Sequence, residues 1–171
     1  MRKSIIWLIW ILIIVVAIYL NIAYGNYYDT PEGALENREA ENTSMQYIIE
    51  KVWVNDEPII FYVNEKNNFS HARFSTKEIR GKTGYRVTVA GRYTLDINSA
   101  EVVPIKWNEM IESTVDYYRI MYGITNSEDI YSISINGESP TFKSFEMGGE
   151  EYVLWYILGS TELDNPNITL E

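Results

Sequence analysis

The sequence has no cysteine and a single histidine, His71. The missing thiols exclude a disulfide-stapled fold, a cysteine nucleophile and a lipid-modified N-terminal cysteine. With only one imidazole, a structural zinc site is excluded as well. Basic side chains are scarce: 14 Lys and Arg stand against 24 Asp and Glu, for a net charge of −10. Arg2 and Lys3 are the only charges among the first 24 residues, so the other 147 carry 12 basic and 24 acidic groups, or −12. That balance argues against nucleic acid and against anionic membrane surfaces as partners. At 171 residues the chain is long enough for one domain with a core.

What the sequence does have is one long apolar run. Ile5 to Leu20 is sixteen residues, apolar throughout apart from the amphipathic Tyr19. Extended through Tyr24 it makes about 20 residues, or about 30 Å of helix, the thickness of a bilayer's hydrocarbon core. Trp7, Trp10, Tyr19 and Tyr24 lie toward its ends, where aromatic rings favour the headgroup level. A cleaved signal peptide also fits, with Ala23-Tyr24-Gly25 as the small-x-small site. Signal h-regions usually run about 7–15 residues, which favours an uncleaved signal-anchor here. Residues 1–24 are therefore expected to be a transmembrane signal-anchor, with the lipid bilayer contacted through residues 5–24. Arg2 and Lys3 flank the run on one side. On the other, the first basic residue is Arg38, after Asp29, Glu32 and Glu36. The positive-inside rule then leaves the N-terminus cytoplasmic and residues 25–171 outside. An exported domain without cysteine suits a Gram-positive envelope. Three Asn-x-Ser/Thr sequons, at Asn42, Asn68 and Asn167, are what chance supplies in this composition.

Residues 25–44 form a juxtamembrane linker with a short helix. Thr30-Pro31-Glu32 is a strong helix start: a capping hydroxyl, a proline at the first position and an early acid. Leu35 is the helix's only large apolar residue, so it is expected to dock weakly, as a spacer or lid at the domain's edge.

Residues 45–171 read as a β-rich domain. Strands are expected at Tyr47–Val54, Ile59–Val63, Tyr85–Val89, Tyr93–Ile97, Tyr117–Ile124, Ile130–Ile135, Pro140–Phe145, Tyr152–Leu158 and Ile168–Leu170, with Phe69–Ile79 less regular. Turns fall at Asn55–Pro58, Asn64–Asn68, Arg80–Gly84, Asn126–Asp129, Asn136-Gly137 and Gly148-Gly149. Gly91 suggests a bulge. Trp107, Met110, Ile111 and Thr114 fall at helical spacing, which predicts a short helix there. The fold class is mainly β, α+β at the margin, with a meander or sandwich and one or two short helices.

The N-terminal run, Thr30-Pro31-Glu32-Gly33-Ala34-Leu35, Ile59-Ile60-Phe61-Tyr62, Gly84-Tyr85-Arg86-Val87 and Tyr122-Gly123-Ile124 before Ile130-Tyr131-Ser132-Ile133 carry a resemblance. The chain resembles, in outline over residues 25–171, a loose group of small exported Gram-positive proteins. The resemblance implies location and a β-rich fold, and no chemistry.

Candidate chemistry is sparse. Gly81-Lys82-Thr83 matches the end of a phosphate-binding loop, but Thr76 stands where its first glycine belongs and a strand follows it. A hairpin turn is expected instead. His71, beside Ser70, has no nucleophile-elbow serine to serve and reads as a surface histidine at a strand entry. Glu109, Glu112 and Asp116, and Glu146, Glu150 and Glu151, are acid clusters from which a hydrolase could draw an acid/base pair. On a helix, Glu109 and Glu112 would share a face. With 24 acids in the chain, pairs at such spacings arise without purpose, and a solvated surface is the expected reading. Asp164-Asn165-Pro166-Asn167 offers oxygens but lacks the spacing of a calcium loop. Tyr117, Tyr118, Tyr122, Tyr131, Tyr152, Trp155 and Tyr156 could form an exposed platform for sugar rings, though most such aromatics fill a core. Trp155, in the continuous apolar run Tyr152 to Leu158, is expected at the centre of a strand covered on both faces.

The expected function is a non-catalytic binding or accessory domain of the cell envelope, with an unknown envelope protein or glycan as ligand. The alternative is a carboxylate-dependent hydrolase of a cell-wall polymer. No catalytic residue, cofactor or metal is assigned. Two acids converging in one concave site would favour the hydrolase.

Overall fold

The structure is a computed structural model that describes residues 2–37, 44–54, 56–79, 81–92, 109–112, 119–126, 128–159 and 168–170. Two helices, α1 (Arg2–Tyr24) and α2 (Pro31–Glu36), precede β1 (Met45–Val54), β2 (Glu57–Asn64), β3 (Phe69–Ile79) and β4 (Lys82–Arg92). Then follow β5 (Glu109–Glu112), β6 (Arg119–Thr125), a 3-10 turn (Glu128–Ser132), β7 (Ile133–Ile135), β8 (Thr141–Met147), β9 (Glu150–Gly159) and β10 (Ile168–Leu170). The protein is mainly β. The expected strands at Tyr93–Ile97 and the residues Trp107, Thr114, Asp116, Tyr117, Tyr118 and Asp164–Asn167 lie outside the described residues.

The first four strands form an antiparallel meander, β1-β2-β3-β4. The second sheet has the order β5-β6-β9-β8, also antiparallel. The two sheets face each other. Val52, Ile59, Phe61, Val63 and Phe69 from the first meet Ile120, Tyr122, Phe145, Tyr152 and Leu154 from the second in one buried cluster. This is the core of a sandwich, and rings dominate it: Phe61 lies 4.9 Å from Tyr122, centroid to centroid.

Each sheet is also covered on its outer face. Ile60 and Tyr62 point away from the sandwich core and pack with Ala72, Phe74, Ala34 and Leu35 under α2. Strand period two explains why Ile59-Ile60-Phe61-Tyr62-Val63 is apolar without a break: each face has its own cover. On the far side, Val153, Trp155 and Ile157 of β9 pack with Ile130, Ile133 and Ile135. β10 pairs with β7. Trp155 is fully buried on the central strand, as the apolar run predicts.

α2 forms as its sequence prescribes. Thr30 caps it, its hydroxyl accepting from the Gly33 N–H at 3.0 Å, and Pro31 takes the first position. Its docking is firmer than expected from sequence. Pro31, Ala34 and Leu35 are buried, Leu35 completely, because the outer face of β2 offers a matching apolar bed. α2 is a fixed cover, not a loose lid.

Three local expectations are corrected. Met110 and Ile111 lie in β5, not a helix; pairing with Met121 and Ile120 of β6 overrides a weak helical spacing. Glu128–Ser132 is a 3-10 turn, so only Ile133–Ile135 of the expected strand is extended. The turn brings Ile130 onto the Trp155 face. The bulge in the β3–β4 pair is at Thr88, between Arg73↔Val89 and Phe74↔Val87, while Gly91 keeps register opposite His71.

α1 is a continuous helix whose described side chains, from Ile6 to Leu20, stay 47–71% exposed at every large apolar position. Among the described residues no helix is long and apolar enough to cross a membrane.

Candidate functional site

The Thr88 bulge divides β3–β4 into two parts. Below it the strands belong to the sandwich. Beyond it, Phe74–Ile79 and Lys82–Val87 continue as a hairpin arm without pairing to β2, whose ladder with β3 stops at Ile59↔Arg73. A bulge bends and over-twists its strand. The arm thereby brings Tyr85 of β4 to Trp53 of β1 at the opposite edge of the sheet, in an edge-on contact of 6.2 Å at 69°.

A cleft of about 480 Å³ opens between them. Trp53 and Tyr85 form its aromatic wall, and Asp56, at the β1–β2 turn, stands at one end. Thr76, Lys77 and Glu78 of β3 and Thr83 of β4 line the arm side. Trp53 is 46% exposed between buried Val52 and Val54, so the indole occupies the outward phase of an alternating strand. The Lys51 ammonium stands 5.7 Å from the centre of its ring. Lys51 is in turn held by Glu32 of α2 through a salt bridge. Burial alone would push the Glu32 carboxyl up. The hydrogen bond and charge of Lys51, with a bond from its own backbone N–H, outweigh this and lower it. The ion pair thus ties α2 to the strand that presents Trp53. Chemically the cleft offers an exposed indole with a tyrosine ring edge-on to it, hydroxyls, two carboxylates and an ammonium. Among the described residues, no group of three or more His, Cys, Asp or Glu side chains is placed to hold a metal ion.

The residues singled out from sequence fall mostly elsewhere. Gly81 is the turn of the arm, at φ +76°, and Lys82-Thr83 begin a strand, so the phosphate-loop resemblance is a hairpin. His71 is corrected from surface to core: it is 2% exposed, with Nδ1 3.1 Å from the Tyr122 hydroxyl. Its position opposite Phe61 on the inward face of β3 puts it there. Neighbouring Ser70 faces the other way, and its hydroxyl accepts from the buried Asn64 amide at 3.3 Å. The two form no catalytic pair.

Glu109 and Glu112 are the ends of the strand β5, so the helical face expected to join them does not exist. Glu146 and Glu151 are exposed cross-strand neighbours on β8 and β9. Glu150 accepts from the Tyr152 hydroxyl at 2.8 Å. Burial first, and then Glu150, push that phenol's pKa up. The second acid cluster is therefore an exposed surface, with Glu150 engaged by Tyr152. Tyr122, Tyr152 and Trp155 are buried, Tyr156 is half-buried, and Tyr131 is exposed with its ring 5.2 Å from Phe142. All of these but Tyr131 make core, not a platform. The aromatic wall of the cleft, Trp53 exposed and Tyr85 half-buried, belongs to the other sheet. One sequence signal pointed there: a tryptophan between two valines, one step before a turn, on the outward phase of its strand.

No family model matches this sequence, and neither the curated proteins nor the solved structures compared with it contain a match.

Proposed function

We propose that the protein is a single-pass membrane protein with a cytoplasmic N-terminus, whose extracytoplasmic β sandwich binds an envelope glycan in the Trp53–Tyr85 cleft. The anchor rests on the sequence. The helical segment Arg2–Tyr24 contains the unbroken apolar run Ile5–Leu20, and basic residues flank only its start. The described apolar side chains between Ile6 and Leu20 are exposed, an arrangement costly in water and at ease in lipid.

The observation that carries the binding reading is the aromatic wall with polar groups gathered round it. A pyranose ring presents an apolar face of C–H bonds and a rim of hydroxyls. An indole beside Asp56, Thr76, Glu78 and Thr83 complements both. The test is co-sedimentation of the full chain, in detergent, with purified cell wall. Binding is expected, and Trp53→Ala is expected to abolish most of it with the fold unchanged. Equal sedimentation of both proteins would remove the cleft from the reading.

One observation favours the hydrolase as a second reading: Asp56 and Glu78 line the same cleft. Both are exposed, whereas a general acid requires burial to raise its pKa. Binding without turnover is therefore preferred. Release of soluble sugar from wall by the wild-type chain, lost in Asp56→Asn or Glu78→Gln, would reverse that preference.

A further inference from the structure

The chain's net charge conceals a strong asymmetry. Residues 69–92, the β3–β4 hairpin, contain Arg73, Lys77, Arg80, Lys82, Arg86 and Arg92 and one acid, Glu78. That segment carries +5 within a chain of −10, so the remainder carries −15. The register sorts part of this charge onto one face. Lys77 pairs with Gly84, Arg86 with Ser75 and Lys82 with Ile79. Cross-strand partners share a face, so Lys77, Lys82 and Arg86 stand together on the arm.

A second observation places that face in the molecule. The chain leaving α1 adds to the β4 edge: Tyr28 and Tyr85 exchange two backbone hydrogen bonds of 2.8 Å. Tyr27 then lies over Gly84, so close that a Cβ on Gly84 would stand 3.1 Å from that of Tyr27. Its ring is flanked by the Lys77 ammonium at 5.9 Å and the Arg86 guanidinium at 5.2 Å. Tyr27 stands three positions beyond Tyr24, the last residue of α1, a reach of at most about 11 Å. The basic face is therefore fixed beside the exit of the helix. The positive-inside rule counts charges close to the helix along the chain, and these lie more than fifty residues on. Only folding brings them there.

We infer that the basic face of the β3–β4 arm, with Tyr27, rests on anionic phospholipid headgroups beside the end of α1. This rests on the reading of α1 as a membrane anchor. It reverses, for this one face, the expectation drawn from net charge that anionic membranes are avoided. Headgroup phosphates accept from ammonium and guanidinium groups, and a tyrosine ring suits the headgroup level. The acidic remainder of the domain is repelled by the same surface, which orients the sandwich with the arm down. The cleft lies along that arm, so its mouth is held at a set height above the membrane.

The test uses the full chain, whose lack of cysteine permits one labelled site, Ile79→Cys, which pairs with Lys82 on the basic face near the tip of the arm. The labelled protein is reconstituted into vesicles of phosphatidylcholine, with or without about 30 mol% phosphatidylglycerol, carrying a headgroup quencher. Flotation after alkaline wash reports the anchor by itself; a chain that fails to float overturns the anchor reading, whatever the quenching. In floating protein, strong quenching is expected only with phosphatidylglycerol. Each cation near such a surface contributes about fivefold, so three shift the contact equilibrium on the order of a hundredfold. About 0.5 M NaCl, and the variant Lys77→Gln/Lys82→Gln/Arg86→Gln, are expected to release the arm. Quenching in floating protein that ignores lipid charge and salt overturns the inference and leaves the anchor standing. A label that responds to soluble polyphosphate in neutral vesicles, but not to phosphatidylglycerol, overturns it in favour of an anionic polymer.

Discussion

Trp155 is held by the absence of a side chain opposite it. It pairs with Gly123 on β6, and a Cβ there would lie 2.7 Å from three atoms of the indole. The indole crosses its neighbour strand at this point, so only glycine leaves room. Gly123→Ala is expected to cost about 1–3 kcal/mol by overpacking, and Trp155→Ala about 3–5 kcal/mol through lost burial and a cavity. The two costs are expected not to add, since shrinking the indole frees the space that alanine needs. Thermal unfolding of the four proteins of that cycle, followed by near-ultraviolet circular dichroism, measures the coupling; strict additivity would contradict the contact. His71 tests the inner face. A surface histidine would be replaced at no cost, but His71 is buried against Tyr122. His71→Ala is expected to lower stability by about 2–4 kcal/mol, from the cavity and the lost hydrogen bond together. A change within about 0.5 kcal/mol would return it to the surface.

Among the elements, α2 shows how a short segment gains stability from its bed. Six residues make too short a helix to persist alone. The Thr30 cap, the burial of Leu35 and the Glu32–Lys51 ion pair hold it on the sheet. Because the Glu32 carboxyl is lowered in the folded protein, its contribution is present above the ordinary glutamate value. It is lost as the pH falls below that value and through the lower folded one. Glu32→Gln is therefore expected to be less stable than wild type at neutral pH, with the gap closing in acid. Urea melts at pH 7 and about pH 3 check this; a gap that is constant or widens in acid would contradict the ion pair. Elements of this kind also mark what can be read from sequence. The Thr30-Pro31 start, the turns at Gly81 and Gly148-Gly149, and the two-faced strands at Ile59–Val63 and Tyr152–Leu158 are local signals, and each forms where expected. The firm docking of Leu35, the inward turn of His71 and the strand at Glu109–Glu112 depend on partners far along the chain. Composition and spacing carry no record of those partners. The cleft was hidden for the same reason: Trp53 and Tyr85 are brought together by one extra residue at Thr88.

At the scale of the whole molecule, two devices converge on one hairpin. One face of the β3–β4 arm closes a cleft with Trp53, and the other gathers basic side chains beside the exit of α1. A sandwich covered on both outer faces supplies a rigid support for the arm. The proposed glycan site in this cleft is built on Trp53. The direct measurement is calorimetric titration of the full chain in detergent with soluble, chemically defined fragments of the wall glycan. Wild type is expected to give saturable heat. Since Trp53 is half-exposed, Trp53→Ala is expected to keep the melting temperature within a few degrees. The same variant is expected to weaken binding at least about tenfold, the loss of about 1.4 kcal/mol of aromatic contact. Unchanged affinity in a folded Trp53→Ala would contradict the claim.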